Sequence, residues 1–195
     1  MGRPVKQISE RLATWLVRQP LYFVATAPLS ADGRVNTSPK GGTGTFQVLN
    51  PTRVAYLDMT GSGSETIAHI RENGRITIMF CAFEGPPKVV RLYGRGSYVT
   101  PEQPKWAEMR AAFTIADADD ALVRAAVIVD VDRVQDSCGY VVPLMEVVGE
   151  RDQMYRWAEG QERKHGACWD VKYRDENNRI SIDGLPSLPP ESNSA

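Results

Sequence analysis

The sequence predicts a mainly β domain whose strands curl into a closed or split barrel, with short peripheral helices. Residues 53–58 and 75–81 carry β-branched and aromatic residues at alternate positions, the pattern of a strand with one buried face. About seven strands with short connections and few helices are predicted, an arrangement that suits a barrel. A chain of 195 residues can bury roughly 70% of its unfolded surface, so neither a disulfide nor a metal is needed to hold the fold.

The first predicted elements are a helix and a hairpin. Residues 8–18 place apolar side chains on one helical face, with Ser9 able to cap the helix and Pro20 closing the segment. Residues 21–27 then predict a strand, and an Asp-Gly turn leads into a returning strand over 35–41. We therefore expect an amphipathic lid helix followed by a β-hairpin.

The returning strand contains Pro39, which has no N–H group to donate to a sheet. This predicts that the strand ends or bulges there and that Ser38 and Lys40 face a cavity. The alternative for Lys40 is an ordinary surface lysine at a solvated strand end. A glycine-rich bend over 41–45 precedes a further strand at 46–49.

The segment between the two central strands is rich in glycine and hydroxyl groups and opens a helix. Ser62 and Glu65 have the spacing of a capping box, and Asn73-Gly74 is the matching stop. The first turn of a helix presents unpaired N–H groups and a partial positive charge, so an anion belongs there. The alternative is that residues 61–64 merely form a tight turn and cap. Their spacing fits neither the Rossmann fingerprint nor the P-loop.

Three further strands are predicted beyond residue 81. Residues 88–99 form a long one, in which Gly94 and Gly96 indicate a bulge or a bend. The segments 125–134 and 140–148 also read as strands. The sheet predicted from these patterns is long enough to close on itself.

Helical patterns cover residues 101–115 and 151–163, with a short helix at 120–124. The segment from residue 181 onward has no period and is rich in proline, which predicts an extended tail. Leu185 and Leu188 within that tail are candidates to dock on the barrel or on a partner subunit.

We divide the chain into residues 1–150, a cofactor-binding barrel domain with its N-terminal helix, and residues 151–195, a C-terminal helix and tail. No internal repeat or linker separates them.

Composition excludes several classes of protein. Lys and Arg number 23 against 24 Asp and Glu, so the chain lacks the basic surface of a nucleic-acid or membrane-binding protein. Three widely spaced cysteines and two histidines offer no zinc pattern and no secreted disulfide framework. No signal peptide or membrane span is recognisable, and we expect a cytoplasmic protein. His69 is interpreted as a structural or surface helix residue.

The sequence predicts no catalytic side chain. A Gly-x-Ser-x-Gly elbow is missing, and no cysteine lies in an evidently electropositive setting. If the protein is an enzyme, its chemistry therefore belongs to a bound cofactor.

Three segments resemble the flavin-binding split-barrel family typified by pyridoxamine phosphate oxidase. They are Asn-Thr-Ser-Pro-Lys-Gly at 36–41, Tyr-Leu-Asp at 56–58, and the glycine-serine turn with its helix at 61–75. The resemblance covers about residues 21–148. It implies a split β-barrel, a homodimer with FMN in clefts at the subunit interface, and oxidation or reduction of a small organic molecule.

The resemblance also implies which residues contact the cofactor. Residues 37–41 would follow the flavin ring and ribityl chain, residues 58–60 would lie beside it, and the helix start would meet the phosphate, with Lys88 as a further candidate. The implied cofactor-binding residues are Thr37, Ser38, Pro39, Lys40, Gly41, Asp58, Met59, Thr60, Ser64, Glu65, Thr66 and Lys88.

One departure from the family pattern limits the implied activity. Members that oxidise pyridoxamine phosphate carry an Arg-Lys pair where Glu65 and Thr66 stand here. The phosphate would then be held by N–H groups and hydroxyls rather than by cations. We therefore expect a member of the broader pyridoxamine phosphate oxidase-like branch rather than an enzyme of vitamin interconversion.

Two alternatives remain open on the same fold. A deazaflavin-dependent reductase would need extra basic residues for an acidic cofactor tail, which Lys6, Arg11 and Arg18 could supply. A non-catalytic module that holds flavin or haem without turnover is the other alternative.

Overall fold

The computed structural model describes residues 4–115 and 117–189, without the side chains of 117–119. The strands are β1 Leu21–Thr26, β2 Asn36–Gly41, β3 Phe46–Asn50, β4 Arg53–Met59, β5 Arg75–Cys81, β6 Val89–Val99 and β7 Val123–Ser137. The α-helices are α1 Glu10–Val17, α2 Glu65–Asn73, α3 Trp106–Arg110, α4 Gln153–His165 and α5 Trp169–Asn177, and a 3-10 helix covers Asp117–Leu122. None of the helices within the described residues is both long enough and apolar enough to cross a membrane.

The strands form one antiparallel sheet in the order β2-β1-β5-β6-β7-β4-β3. The sheet curls, so that four aromatic rings from β1, β3, β4 and β5 pack around one interior. The ring of Tyr22 lies 5.2 Å from that of Phe46, 5.9 Å from that of Tyr56 and 5.3 Å from that of Phe80. All four side chains are buried. The predicted split-barrel class is confirmed.

The bend predicted in the long strand is found at Gly94. The register of β6 against β7 shifts between Tyr93 and Gly94. A β-carbon at Gly94 would lie 2.1 Å from the carbonyl oxygen of Asp130, so only glycine allows the two backbones to approach so closely. This bulge increases the local twist and helps the sheet to curl.

The prediction that the strand ends or bulges at Pro39 is wrong. Pro39 pairs with Phe23 inside β2, and the strand continues to Gly41. β2 is an edge strand, so the missing N–H group interrupts no ladder on its outer side. Alternation then puts Ser38 and Lys40 on the half-buried face.

The capping box predicted for Ser62 and Glu65 is also wrong. α2 begins at Glu65, with Ser64 in the N-cap position. The C-terminal stop is confirmed, because Gly74 has φ 71° and donates its N–H to the carbonyl of Ile70. On α1, the Ser9 side chain accepts the N–H of Leu12, as predicted.

The strand predicted over 140–148 does not exist, and the segment is irregular and exposed. Tyr140 is 80% exposed and Val148 is 96% exposed. Alternating apolar residues make a strand only where a neighbouring strand offers hydrogen bonds, and β7 instead ends at Ser137. The helix predicted over 101–115 shortens to α3, whereas α5 has no counterpart in the prediction.

The tail predicted as extended wraps back onto α2. Residues 178–188, here called the C-terminal strap, include a bridge between Ile180 and Pro186. Leu188 is 6% exposed and packs with Ile67 of α2 and Ala125 of β7. The strap therefore covers the beginning of α2 and part of the barrel wall.

Candidate functional site

A buried carboxylate, Asp58, lies at the end of β4 between two cations. Its Oδ1 accepts from Nζ of Lys40 at 2.5 Å, and its Oδ2 accepts from Nε of Arg124 at 3.0 Å. The side chain of Asp58 is fully buried and that of Lys40 is 20% exposed. Burial alone raises the pKa of Asp58, but Arg124 and Lys40 outweigh it and bring this pKa below its usual value. The carboxylate is therefore ionised at neutral pH.

Arg124, at the start of β7, also fixes the turn before α2. Its Nη1 donates to the carbonyl of Gly61 at 3.1 Å and its Nη2 to that of Gly63 at 2.5 Å. The sequence prediction missed this residue. An arginine inside the apolar run 121–129 is a usable signal, because a buried arginine almost always has a carboxylate or several carbonyl partners.

A second polar group, the β2–α2 cluster, comprises Thr26, Asn36, Ser38, Thr66 and His69. The Asn36 amide donates to the hydroxyls of Thr66 at 3.0 Å and Thr26 at 3.4 Å, and it accepts from Ser38 at 3.2 Å. The Thr26 hydroxyl lies 2.9 Å from Nδ1 of His69. These bonds tie the edge strand of the barrel to the first turns of α2.

One buried polar atom in this cluster and one just after β4 have no hydrogen-bond partner among the described residues. They are Nε2 of His69 and Oγ1 of Thr60. His69 is fully buried on α2, which fits the structural alternative and not the surface one. Burial lowers its pKa, which leaves the ring neutral at neutral pH. An unpaired buried polar group costs about 1–3 kcal/mol. A ligand that bonds to these atoms would recover that energy.

The beginning of α2, predicted as an anion site, lies under the C-terminal strap. The Ser187 hydroxyl donates to the carbonyl of Ser64 at 2.9 Å, and the Asn178 amide donates to that of Gly61 at 2.8 Å. Ser64 is 2% exposed, and its own hydroxyl lies 3.5 Å from the carbonyl of Ile180. An anion reaches this helix start only if the strap moves.

Three charged side chains also bond to the strap that covers the helix start. The Glu65 carboxylate accepts the N–H of Ile182 in the strap, and its second oxygen would lie 2.8 Å from a β-carbon at Gly63. Arg34 is paired with Asp183 of the strap. Arg71 donates to the carbonyl of Ser187.

The structure brings several of the predicted cofactor residues together. Lys40 contacts Asp58, and Ser38 is joined to Thr66 through Asn36. Thr60 continues from Asp58 and donates its N–H to the carbonyl of Leu122 at 2.7 Å.

Other predicted residues lie apart from this site. Thr37, Pro39 and Gly41 lie on the exposed face of β2. Met59 packs against Leu122 in an apolar cluster. Lys88 lies beside α1, with its Nζ 4.9 Å from the centroid of the Trp15 ring.

The fold and these contacts define a split-barrel protein with a buried polar site between its edge strand and a helix start. The chain belongs to the pyridoxamine 5'-phosphate oxidase family, whose sequence profile matches residues 8–138. A curated relative, the pyridoxamine 5'-phosphate oxidase family protein ustO of Aspergillus flavus, is 38% identical over 197 residues, covering 94% of this chain and 76% of the relative.

Solved structures with a similar fold have much lower sequence identity. A conserved hypothetical protein of Mycobacterium tuberculosis aligns with TM-score 0.50 and 18% identity, over 77% of this chain and 98% of that protein. A pyridoxamine 5'-phosphate oxidase-related, FMN-binding protein of Nostoc punctiforme aligns with TM-score 0.46 and 12% identity, over 64% of this chain and 76% of that protein.

Within the described residues, no group of three or more His, Cys, Asp or Glu side chains is placed to hold a metal ion. The sulfur atoms of Cys81, Cys138 and Cys168 are free thiols.

Proposed function

We propose that this protein binds FMN and catalyses the two-electron oxidation or reduction of a small organic molecule. The observation that carries the proposal is the buried polar groups of α2 and of the segment that follows β4, where the imidazole of His69 and the hydroxyl of Thr60 each have an atom unpartnered within the described residues. Membership of the family supports a flavin, since FMN is the cofactor that the sequence resemblance implies.

The residues of the site fit the polar parts of FMN in chemical type. Asn36, Ser38 and Thr66 offer amide and hydroxyl groups suited to ribityl hydroxyls and phosphate oxygens. Ser64 and Thr66 remain the predicted phosphate contacts. Contact between Ser64 and the phosphate requires the C-terminal strap to shift, because the strap covers this residue.

Bound FMN would supply the exchange of a hydride with the substrate. The side chains supply electrostatics, and the Lys40 ammonium beside β4 would stabilise negative charge on a reduced ring. Asp58 holds Lys40 in place and is itself ionised because Arg124 and Lys40 surround it. With two cations against one carboxylate, these three side chains would favour a negatively charged group on a bound cofactor.

We further propose a cytoplasmic homodimer with the cofactor at the subunit interface. Large apolar side chains protrude from the irregular segment 140–148. Exposed large apolar side chains that follow closely along one segment are typical of a protein–protein interface. Three free cysteines support a reducing compartment. Leu144 is 79% exposed, so Leu144→Asp should yield monomers in sedimentation velocity, whereas wild-type sedimentation as a monomer at all concentrations would contradict the dimer.

Titration with FMN tests the cofactor proposal. The purified chain should take up one FMN per protomer, become yellow and release FMN on denaturation. Thr66→Val removes a hydroxyl from the site and should weaken FMN binding by about tenfold, the effect of one lost hydrogen bond to a charged group. Thr14→Val is the matched control, since Thr14 is an exposed helical threonine whose hydroxyl donates to the Glu10 carbonyl of the same helix. Equal affinities of both variants and wild type would refute the assigned site.

Turnover is tested separately from binding. The bound flavin is reduced anaerobically and mixed with candidate acceptors, and at least one should reoxidise it faster than free FMN. If no acceptor exceeds the rate with free flavin, the protein is a flavin-holding module. Parallel titration with a deazaflavin cofactor tests the deazaflavin alternative, which requires tighter binding of that cofactor than of FMN.

A further inference from the structure

A hollow of about 650 Å³ lies between α1, the turn before β6 and the end of β7. A second hollow of about 690 Å³ adjoins it and shares Arg11, Trp15 and Pro86 with the first. We call the two together the Trp15 groove. Cavities that hold small molecules span roughly 300–1,000 Å³, so each hollow is large enough for a small organic ligand. None of the groove's lining residues belongs to the β2–α2 cluster.

The groove combines an aromatic wall with cations. The half-buried indole of Trp15 packs edge-on against Phe80 at 6.5 Å between ring centroids, which fixes its orientation. The Lys88 ammonium lies 4.9 Å from the centroid of the same indole, a distance at which cation and ring attract each other. The ammonium is thereby held at the groove instead of extending into solvent.

The charges of the groove leave cations in excess. Lys88, Arg11 and Arg18 line it, and the acids on the same walls are Asp136 and Glu84. None of these five side chains forms an ion pair with another described residue. A half-buried ammonium without a carboxylate partner attracts an anion more strongly than a fully solvated one, because the local dielectric constant is lower.

We propose that the Trp15 groove binds a small organic anion with a flat apolar body, such as an aromatic carboxylate. The carboxylate pairs with Lys88 and Arg11, and the apolar body packs against Trp15. Its lining residues differ from those of the β2–α2 cluster, so the proposal does not depend on FMN binding. Tyr140, which borders the groove, also belongs to the segment proposed as the subunit interface.

Salicylate is a suitable probe, because it is a fluorescent aromatic carboxylate, and its uncharged amide, salicylamide, is the matched ligand control. Equilibrium dialysis with the full chain should give a salicylate Kd below about 1 mM, with salicylamide binding at least about tenfold more weakly, as expected for a lost charged contact. Lys88→Met should weaken salicylate binding by a similar factor. Lys172→Met should leave it unchanged, since Lys172 is an exposed lysine near Glu176 on α5.

Arg11→Gln is a second variant that does not disturb packing, since Arg11 is exposed on α1. This variant should bind salicylate at least about threefold more weakly than wild type. The proposal is overturned if salicylamide binds as tightly as salicylate, if both groove variants bind like wild type, or if salicylate does not bind at millimolar concentration. Displacement of bound FMN by salicylate would also overturn it, because the anion would then occupy the flavin site.

Discussion

Arg124→Met is the sharpest test of the charge arrangement inside the barrel. The guanidinium is 5% exposed and bonds both to Asp58 and to the carbonyls of Gly61 and Gly63. Removing one partner of a buried ion pair costs about 3–5 kcal/mol, since the remaining charge is left uncompensated. Lys40 still pairs with Asp58 in the variant, so we expect the lower end of this range, about 3 kcal/mol.

For a chain of this length, each kcal/mol lowers Tm by about 2–4 °C, and the variant should therefore melt about 6–12 °C below wild type. Circular dichroism during heating, supported by urea unfolding, measures the change. Arg53→Met is the matched control, because Arg53 pairs with Asp130 across the same two strands but is 48% exposed. An exposed pair contributes about 0–1 kcal/mol. Equal melting temperatures of the two variants would refute the assigned role of Arg124.

Three other predictions address pH, backbone packing and the strap. The pKa of Asp58 is lower in the folded than in the unfolded chain, so its contribution to stability is lost as pH falls below about 4. In the variant Asp58→Asn, the free energy of unfolding should therefore depend less on pH in this acidic range. Gly94→Ala should lower the free energy of unfolding in urea by at least about 1–3 kcal/mol, because the new β-carbon meets a carbonyl oxygen at 2.1 Å. The control Gly160→Ala in α4 should raise it by about 0.5–1 kcal/mol, and the opposite order would contradict the bulge geometry. Ser187→Ala removes the hydroxyl that donates to Ser64 and should accelerate hydrogen exchange in the first turn of α2, while unchanged exchange would show that the strap does not hold this turn.

The strands were the part of the fold most open to prediction, because a half-buried strand imprints a period of two on its residues. β5 was predicted with the bounds Arg75–Cys81 that the structure has. The same rule failed over 140–148, where apolar alternation occurs without a neighbouring strand. Periodicity reports the character of a surface, and it does not report whether a partner strand is present.

The candidate site was predicted only in part, because its contacts join residues far apart in the chain. The pairing of Arg124 with Asp58 spans 66 positions, and no local pattern encodes it. The sequence does not predict the contacts of the strap either, since they depend on hydroxyl and amide groups in a segment without periodicity. The resemblance implies a cofactor contact for Lys88, but the structure puts its ammonium over Trp15.

The strap has a consequence for how the protein matures. Ser187 bonds to a residue 123 positions earlier, so a nascent chain on the ribosome can assemble the barrel wall well before it can cover the start of α2. Until then, Ile67 and Ala125 lack the leucine that completes their cluster. Contacts with such long sequence separation form late, and incompletely folded chains with exposed apolar surface are prone to aggregate. Slow translation of residues 178–188 should therefore prolong the interval in which chaperones are needed.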